Sequence, residues 1–237
     1  MENNFVGVFD SGRGGLAVLS ELQKEMPWAN YFYYGDNKNC PYGEKSQEEL
    51  EKITSDVVEF LISQKNTKII VIACNTATTR CIDFLRKKFP NVTFVGTEPA
   101  IKLAKDRGFR KILVLGTPAT AQSRRVAELI SENSDEKREF RVLGCNGLAD
   151  AIEREDDMRI DEILSRVFAN MEKDFDAVVL GCTHYCFVRE KIQKFFPNAE
   201  ILDGNISIAR RVKEILSKEA NFDQKTPGET EFLWTRN

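Results

Sequence analysis

The sequence predicts an α/β fold of two similar domains, each a parallel sheet flanked by helices, related by pseudo-twofold symmetry with the active site between them. Three observations carry that reading: short apolar runs alternate with amphipathic helical stretches, one half of the chain repeats landmarks of the other, and no low-complexity linker separates the halves. Helices between parallel strands cover both faces of a sheet, so its strands read as near-continuous apolar runs.

The predicted strands are Phe5–Phe9, Tyr31–Tyr34, Ile69–Ala73, Val92–Val95, Ile112–Leu115, Phe140–Leu143, Ala177–Leu180 and Glu200–Leu202. Each ends near Gly, Asp, Asn or Thr, where a turn toward a helix is expected. Among the helices, Glu48–Gln64 places Leu50, Ile53, Val57 and Leu61 on one face and gathers acidic residues near its start, as the macrodipole favours. Arg159–Lys173 carries Ile160, Ile163, Leu164, Val167, Phe168 and Met171 at helical spacing, a stripe that faces a core. Ser207–Leu216 reads as a helix returning to the first half.

Ile70-Val71-Ile72-Ala73-Cys74-Asn75-Thr76 resembles Val178-Val179-Leu180-Gly181-Cys182-Thr183-His184, 108 positions later. The helices that follow close on Phe89-Pro90-Asn91 and Phe196-Pro197-Asn198, 107 apart, and Gly7-Val8-Phe9-Asp10 aligns with Val114-Leu115-Gly116-Thr117 at the same 107. Resemblance between parallel-sheet strands explains any one pair, but poorly explains three at constant spacing. The expected domains are residues 1–98 with 207–237, and 99–206.

At 237 residues the chain has room for one large or two small domains, and 42% hydrophobic with 30% charged residues excludes disorder and fibrous structure. A net charge of −3, from 34 basic and 37 acidic residues, leaves no basic excess, so nucleic acid is not an expected partner. The longest apolar run, Ile69–Cys74, is far short of the roughly 18–20 residues of a membrane helix. The polar start Met1-Glu2-Asn3-Asn4 lacks a signal-peptide pattern. A soluble cytoplasmic protein without a membrane partner is expected.

Six cysteines accompany a single histidine. In a reducing compartment a chain of this size keeps free thiols. No C-x-x-C pair occurs, and Cys182, His184 and Cys186 alone cluster, too few ligands for a closed tetrahedral site, so no metal is expected.

Ligands bind open parallel sheets beyond the carboxyl ends of strands. Those ends carry Asp10-Ser11-Gly12, Cys74-Asn75-Thr76, Thr117 and Cys182-Thr183-His184. One strand-end Cys reads as a small buried filler. Two at equivalent ends, each before a helix whose N-terminus lowers a thiol pKa, read as a functional pair facing one another across a shared cleft. Two chemically alike groups on opposite faces of a carbon can invert it, one removing a proton and the other delivering one, with roles exchanged in reverse. Asn75, Thr76, Thr183 and helix N-terminal amides would hold carboxylates and stabilise carbanionic charge, Thr117 joins the substrate-binding set, and Asp10 and His184 would tune the thiols.

The chain resembles the glutamate racemases of the aspartate/glutamate racemase family. The resemblance spans roughly residues 5–216 through Phe9-Asp10-Ser11-Gly12-Arg13-Gly14-Gly15, Tyr34-Gly35-Asp36, Pro41-Tyr42-Gly43, Ala73-Cys74-Asn75-Thr76-Ala77, Gly96-Thr97-Glu98-Pro99-Ala100, Leu115-Gly116-Thr117 and Gly181-Cys182-Thr183-His184-Tyr185. It implies a cofactor-independent two-base racemase, with Cys74 acting on D-glutamate and Cys182 on L-glutamate. It also implies substrate contacts at Asp10, Ser11, Tyr42, Gly43, Asn75, Thr76, Thr183 and His184, and support of the second thiol by Glu153 together with His184. Related aspartate racemases tend to carry Glu after the Cys-Thr pair, so His184 favours glutamate. The resemblance further implies a homodimer in a bacterial cytoplasm, supplying D-glutamate for peptidoglycan synthesis. Arg13 stands where relatives usually carry an aliphatic residue, and Cys186 replaces the usual proline. The stretch after Pro227-Gly228 leaves the final helix of many relatives shortened or absent. The N-terminal extension of activator-dependent relatives is missing, which implies no such activation.

The first alternative is a racemase of another amino acid, and three rival readings of other classes stand beside it. Gly12-Arg13-Gly14-Gly15-Leu16-Ala17 fits G-x-G-x-x-A, with Asp36 about 20 residues on, as in a nicotinamide or flavin oxidoreductase; Asp10 and Ser11 intervene, however, and the carboxylate would face the pyrophosphate. An aspartyl phosphatase starting at Phe9-Asp10 would need a second aspartate where Gly12 stands. A binding protein on the same fold would keep its cysteines as core residues.

Overall fold

The apolar runs become strands buried on both sides because successive side chains point to opposite faces and helices cover each. The computed structural model describes residues 5–218 and 227–236, so the polar start at Met1–Asn4 lies outside it. The chain divides into two compact units, Met1–Thr97 with Asn205–Asn237, and Glu98–Gly204.

In the first unit the chain runs β1 (Phe5–Asp10), α1 (Leu16–Glu25), β2 (Asn30–Gly35), short 3-10 turns at Asn37–Asn39 and Tyr42–Glu44, α2 (Gln47–Lys65), β3 (Ile69–Ile72), α3 (Asn75–Lys88) and β4 (Thr93–Gly96). Alternation sorts its core in two. Val6, Val8, Tyr31, Tyr33, Ile69 and Val71 pack on one face with α1. Phe5, Phe9, Phe32, Ile70 and Ile72 pack on the other with α2 and α3. Each such side chain removed from water contributes roughly 1.5–3 kcal/mol. The predicted helix at Glu48–Gln64 is α2, fixed at its start by a capping box in which Glu49 N–H donates to Ser46 Oγ at 3.2 Å and Ser46 N–H donates to Glu49 Oε2 at 2.8 Å.

The second unit follows the same plan: α4 (Ile101–Asp106), β5 (Lys111–Gly116), α5 (Pro118–Ala121), α6 (Arg124–Asn133), β6 (Glu139–Gly144), α7 (Leu148–Glu153), α8 (Asp157–Phe168), β7 (Ala177–Gly181), a 3-10 segment at Thr183–Val188, α9 (Arg189–Phe195) and β8 (Glu200–Leu202). Leu113, Leu115, Val178 and Leu180 face α7, α8 and α9. Ile112, Val114, Ala177 and Val179 face α4 and α6. The chain then returns to the first unit as α10 (Asn205–Leu216), packed on α1, and β9 (Thr230–Trp234).

Every strand pairing in both sheets is parallel. The sheet orders are β4-β3-β1-β2-β9 and β6-β5-β7-β8. Read from the other edge, the second is β8-β7-β5-β6, so β1 to β4 correspond to β5 to β8 one for one. The α/β class with two parallel sheets flanked by helices is therefore observed.

Two elements depart from the sequence reading. The helix expected over Arg159–Lys173 ends at Phe168, where Lys173 Nζ turns back to donate to the Phe168 carbonyl at 2.6 Å and the same ammonium lies over the Phe168, Phe195 and Phe196 rings. Met171 reaches the same core from the turn, not from the helix. The stretch after Pro227-Gly228 supplies β9, which pairs with β2 and which apolar patterning did not reveal. Among the described residues, no helix is long and apolar enough to cross a membrane.

Candidate functional site

In the first unit β1 and β3 are neighbours, and helices leave them toward opposite faces, α1 on one side and α3 on the other. That divergence opens a crevice at the carboxyl ends of the two strands. Asp10 and Ser11 stand at one lip and Cys74, Asn75 and Thr76 at the other, all buried. The lips are tied where Ala73 N–H donates to the Phe9 carbonyl at 2.8 Å. Asp10 Oδ2 accepts from Gly12 N–H at 3.1 Å, and Asn75 Nδ2 donates to the Thr97 carbonyl at 3.1 Å. The Cys74 thiol points toward Ser11 Oγ at 3.9 Å.

Cys74 caps α3, as expected, yet its pKa moves opposite to the sequence-based expectation. Burial, and then the negative charge of Asp10, push the thiol up to about 12; the Ala77 and Thr76 amides and the Ser11 hydroxyl pull it down by less. A helix N-terminus lowers a thiol pKa where water or a cation helps, but here desolvation outweighs it.

Tyr42, expected to contact substrate, is buried in the same apolar cluster as Cys74, with half-buried Gly43 next to it in the 3-10 turn. Its hydroxyl donates to Asp36 Oδ2 at 2.8 Å, and burial followed by the Asp36 charge raises its pKa well above the ordinary range. Asp36 entered the sequence reading within the Tyr34-Gly35-Asp36 motif and as part of a nucleotide fingerprint, with no site role assigned to it. Its place beyond a strand end, in Tyr34-Gly35-Asp36, was the available signal. Arg13, the departure in this loop, is half-buried.

The Gly12–Ala17 loop is explained by packing. Gly15 has an ordinary right-handed φ of −65°. A Cβ there would lie 2.7 Å from Asp10 Cβ and 2.9 Å from both Ala73 Cβ and Tyr33 Oη, the latter already donating to the Gly12 carbonyl at 2.6 Å. Gly15→Ala is expected to destabilise the first unit by about 1–3 kcal/mol. A urea titration reads this directly, and a wild-type midpoint would mean that the loop yields freely.

In the second unit β5 and β7 are likewise adjacent, and their following segments pack on opposite faces. Thr117 stands at the β5 end, but its hydroxyl caps α5, accepting from Thr120 N–H at 3.2 Å and donating to Thr120 Oγ1 at 3.1 Å. Cys182, Thr183 and His184 follow β7, all buried. Cys182 is followed by a 3-10 segment, not directly by the α-helix expected. Half-buried Cys186 lies in that segment against the core.

His184 reaches in two directions. Nδ1 lies 4.0 Å from Cys182 Sγ, and Nε2 lies 2.7 Å from Glu153 Oε2 at the end of α7. The side chains of His184 and Glu153 are 3% and 12% exposed, so the carboxylate fixes the ring with little competition from water. Sequence-distant Glu153 thus joins Cys182 and His184 in a Cys–His–Glu chain, an arrangement suited to moving a proton on and off sulfur. Tyr185 anchors the segment through its hydroxyl, which donates to the Gly116 and Cys145 carbonyls at 3.0 and 3.3 Å.

Cys81 and Cys145 are buried in the cores, consistent with structural parts, and Cys40 is half-buried at the end of a 3-10 turn.

A family model described as Asp/Glu/Hydantoin racemase matches residues 16–212. The chain is 42% identical over 224 residues to the glutamate racemase of Clostridium acetobutylicum, covering 92% of this chain and 86% of that protein. Among solved structures, the glutamate racemase of Thermus thermophilus in complex with β-chloro-D-alanine matches with a TM-score of 0.81 at 31% identity, over 100% of this chain and 89% of that one. The glutamate racemase of Francisella tularensis in complex with D-glutamate matches with a TM-score of 0.84 at 25% identity, over 100% and 90%. These matches set aside the oxidoreductase, phosphatase and non-enzymatic readings. The chain belongs to the Asp/Glu/hydantoin racemase family and is an isomerase, an amino-acid racemase.

Proposed function

We propose that this racemase interconverts L- and D-glutamate without a cofactor, with Cys74 and Cys182 as acid and base on opposite faces of the α-carbon. The observation that carries the reading is positional: the two thiols stand just beyond the carboxyl ends of β3 and β7, corresponding strands in two sheets of the same order. Each has a carboxylate close by in its own unit, Asp10 for Cys74 and Glu153, through His184, for Cys182. Glutamate as substrate rests on the relatives' activity.

The chemistry follows from these groups. An α-hydrogen beside a carboxylate is very weakly acidic, so hydrogen-bond donors must stabilise the carbanion in a desolvated site. Asn75, Thr76 and Thr183, with neighbouring backbone amides, are assigned that task along with Ser11 and the backbone of Tyr42 and Gly43; the Tyr42 hydroxyl already donates to Asp36, and Thr117 is kept as a weaker contact because its hydroxyl is already a cap. Asp10 is assigned the substrate ammonium. That cation offsets the Asp10 charge that otherwise opposes ionisation of Cys74, so substrate arrival favours the thiolate. The product D-glutamate is assigned to peptidoglycan synthesis in a bacterial cytoplasm, by a homodimer.

Purified, dialysed protein is expected to racemise either enantiomer of glutamate, with α-deuterium appearing in the product when the reaction runs in D₂O. Chiral chromatography with mass detection reads both. Activity lost on dialysis and restored by a nicotinamide or flavin, or inversion without solvent deuterium, would overturn the reading.

A further inference from the structure

The last strand reaches into the turn that carries Tyr42. Just after β9, Thr235 makes three hydrogen bonds to the last residue of β2 and the segment that follows it. Its N–H donates to the Gly35 carbonyl at 3.0 Å. Its Oγ1 accepts from Lys38 N–H at 2.9 Å and donates to Asp36 Oδ1 at 2.9 Å. Trp234, the preceding residue, seats its ring over Gly35, where an added Cβ would lie 2.2 Å from Trp234 Cε3.

Asp36 distributes that constraint. Its carboxylate is 1% exposed and takes hydrogen bonds from three neutral side chains: Thr235, Tyr42 at 2.8 Å, and Asn39 Nδ2 at 2.9 and 3.1 Å. Its N–H donates to the carbonyl of Asp10 at 3.0 Å. A buried carboxylate is costly unless its lone pairs are satisfied, so losing one donor loosens the others. The far end of this chain is Tyr42, which packs in one cluster with Cys74.

We propose that Thr235 is a positioning residue: through Asp36 it holds the 37–43 turn and the Tyr42 ring beside Cys74 in the arrangement that receives the amino acid. This rests on the reading of Cys74 and the Tyr42-Gly43 turn as racemase machinery. Thr235 stands 50 residues beyond the last motif that suggested the site, Gly181–Tyr185, and acts on the turn through Asp36 and the Lys38 amide. It makes the carboxyl-terminal strand part of the frame that shapes the substrate turn.

The test uses Thr235→Val, which removes the hydroxyl and keeps the shape and the N–H bond to Gly35, with Thr235→Ser as the restoring variant. Three readouts are taken on the full chain: amide hydrogen exchange over residues 37–43, the rate of Cys74 alkylation by iodoacetamide resolved by mass spectrometry, and KM and kcat for glutamate. Loss of a hydrogen bond to a charged group is expected to raise exchange in the turn and KM about tenfold each, with kcat within about twofold and Cys74 alkylated several-fold faster. Ser is expected to restore all three. If Thr235→Val does not fold, Asp36→Asn, which weakens the acceptor from its other side, is expected to give the same changes. Wild-type exchange and alkylation in the variant would overturn the proposal. Faster exchange with unchanged alkylation and KM would reduce Thr235 to a local peg and overturn it as well. If the wild type does not racemise glutamate, the function reading fails separately, and exchange with alkylation still decides the role of Thr235.

Discussion

Cys74→Ala and Cys182→Ala are each expected to lower racemisation at least about 10³-fold, toward the upper end of what a positioned acid or base contributes. The effect is large because neither thiol can stand in for the other: a base that removes the proton from one face cannot return it to the opposite face. Two further outcomes separate this mechanism from simple damage to the fold. The equilibrium constant between enantiomers is one, so kcat/KM must fall equally in both directions whichever thiol is removed. The remaining thiol can still work on its own face. Cys74→Ala, keeping Cys182, is expected to exchange the α-hydrogen of L-glutamate with D₂O without inversion, and Cys182→Ala to do so with D-glutamate. Proton NMR of each enantiomer reads exchange, and chiral chromatography reads inversion. Normal turnover in either variant would end the two-thiol mechanism, and exchange of the opposite enantiomers would reverse the assignment of faces.

The architecture was legible because parallel strands covered on both faces must be apolar throughout, and because the sequence repeats itself at a near-constant offset. Strand ends, and with them Asp10, Cys74, Thr117 and Cys182, followed from the same pattern. Features set by tertiary contact were not legible. Apolar spacing continued to Met171, but the helix stopped where Lys173 found the Phe168 carbonyl and three aromatic rings. Glu231-Phe232-Leu233-Trp234 is a strand through its partner β2, and its exposed Phe232 and Trp234 give no buried-strand signature. Thr117 was rightly placed at a strand end, but its hydroxyl is held in a cap that strand patterning does not disclose. The Cys74 pKa depended on how deeply the thiol is buried and on its distance from Asp10, neither of which one-dimensional spacing contains.

Stability is expected to collapse at alkaline pH, and the buried thiols set the window. Burial pushes Cys74 up to about 12, Cys145 up to about 12 and Cys81 up to about 11, from an ordinary value of 9.0. Below pH 9 all three are protonated in the folded and unfolded chains alike, so their full contribution is present. Between 9 and 12 the unfolded thiols ionise while the folded ones remain protonated. The unfolded state then binds fewer protons, and stability falls as pH rises. At about 1.4 kcal/mol per pH unit per group, Cys74 and Cys145 each remove about 2–3 kcal/mol by pH 11, and Cys81 adds a smaller share. That sum approaches the 5–15 kcal/mol that typically separates folded from unfolded domains. Raised tyrosine pKa values at Tyr31, Tyr42 and Tyr185 act in the same direction at higher pH. Scanning calorimetry under reducing conditions is expected to show a nearly constant Tm from pH 7 to about 8.5 and a steep fall by pH 10.5. Cys145→Ala should flatten the fall for the second unit alone, since Cys74 and Cys81 both lie in the first. A Tm at pH 10.5 equal to that at pH 7 would show that these thiols ionise in the folded protein as readily as in water. Cys74 would then ionise near its ordinary value of 9.0, with neither burial nor Asp10 opposing it, and substrate ammonium would not be needed to offset them.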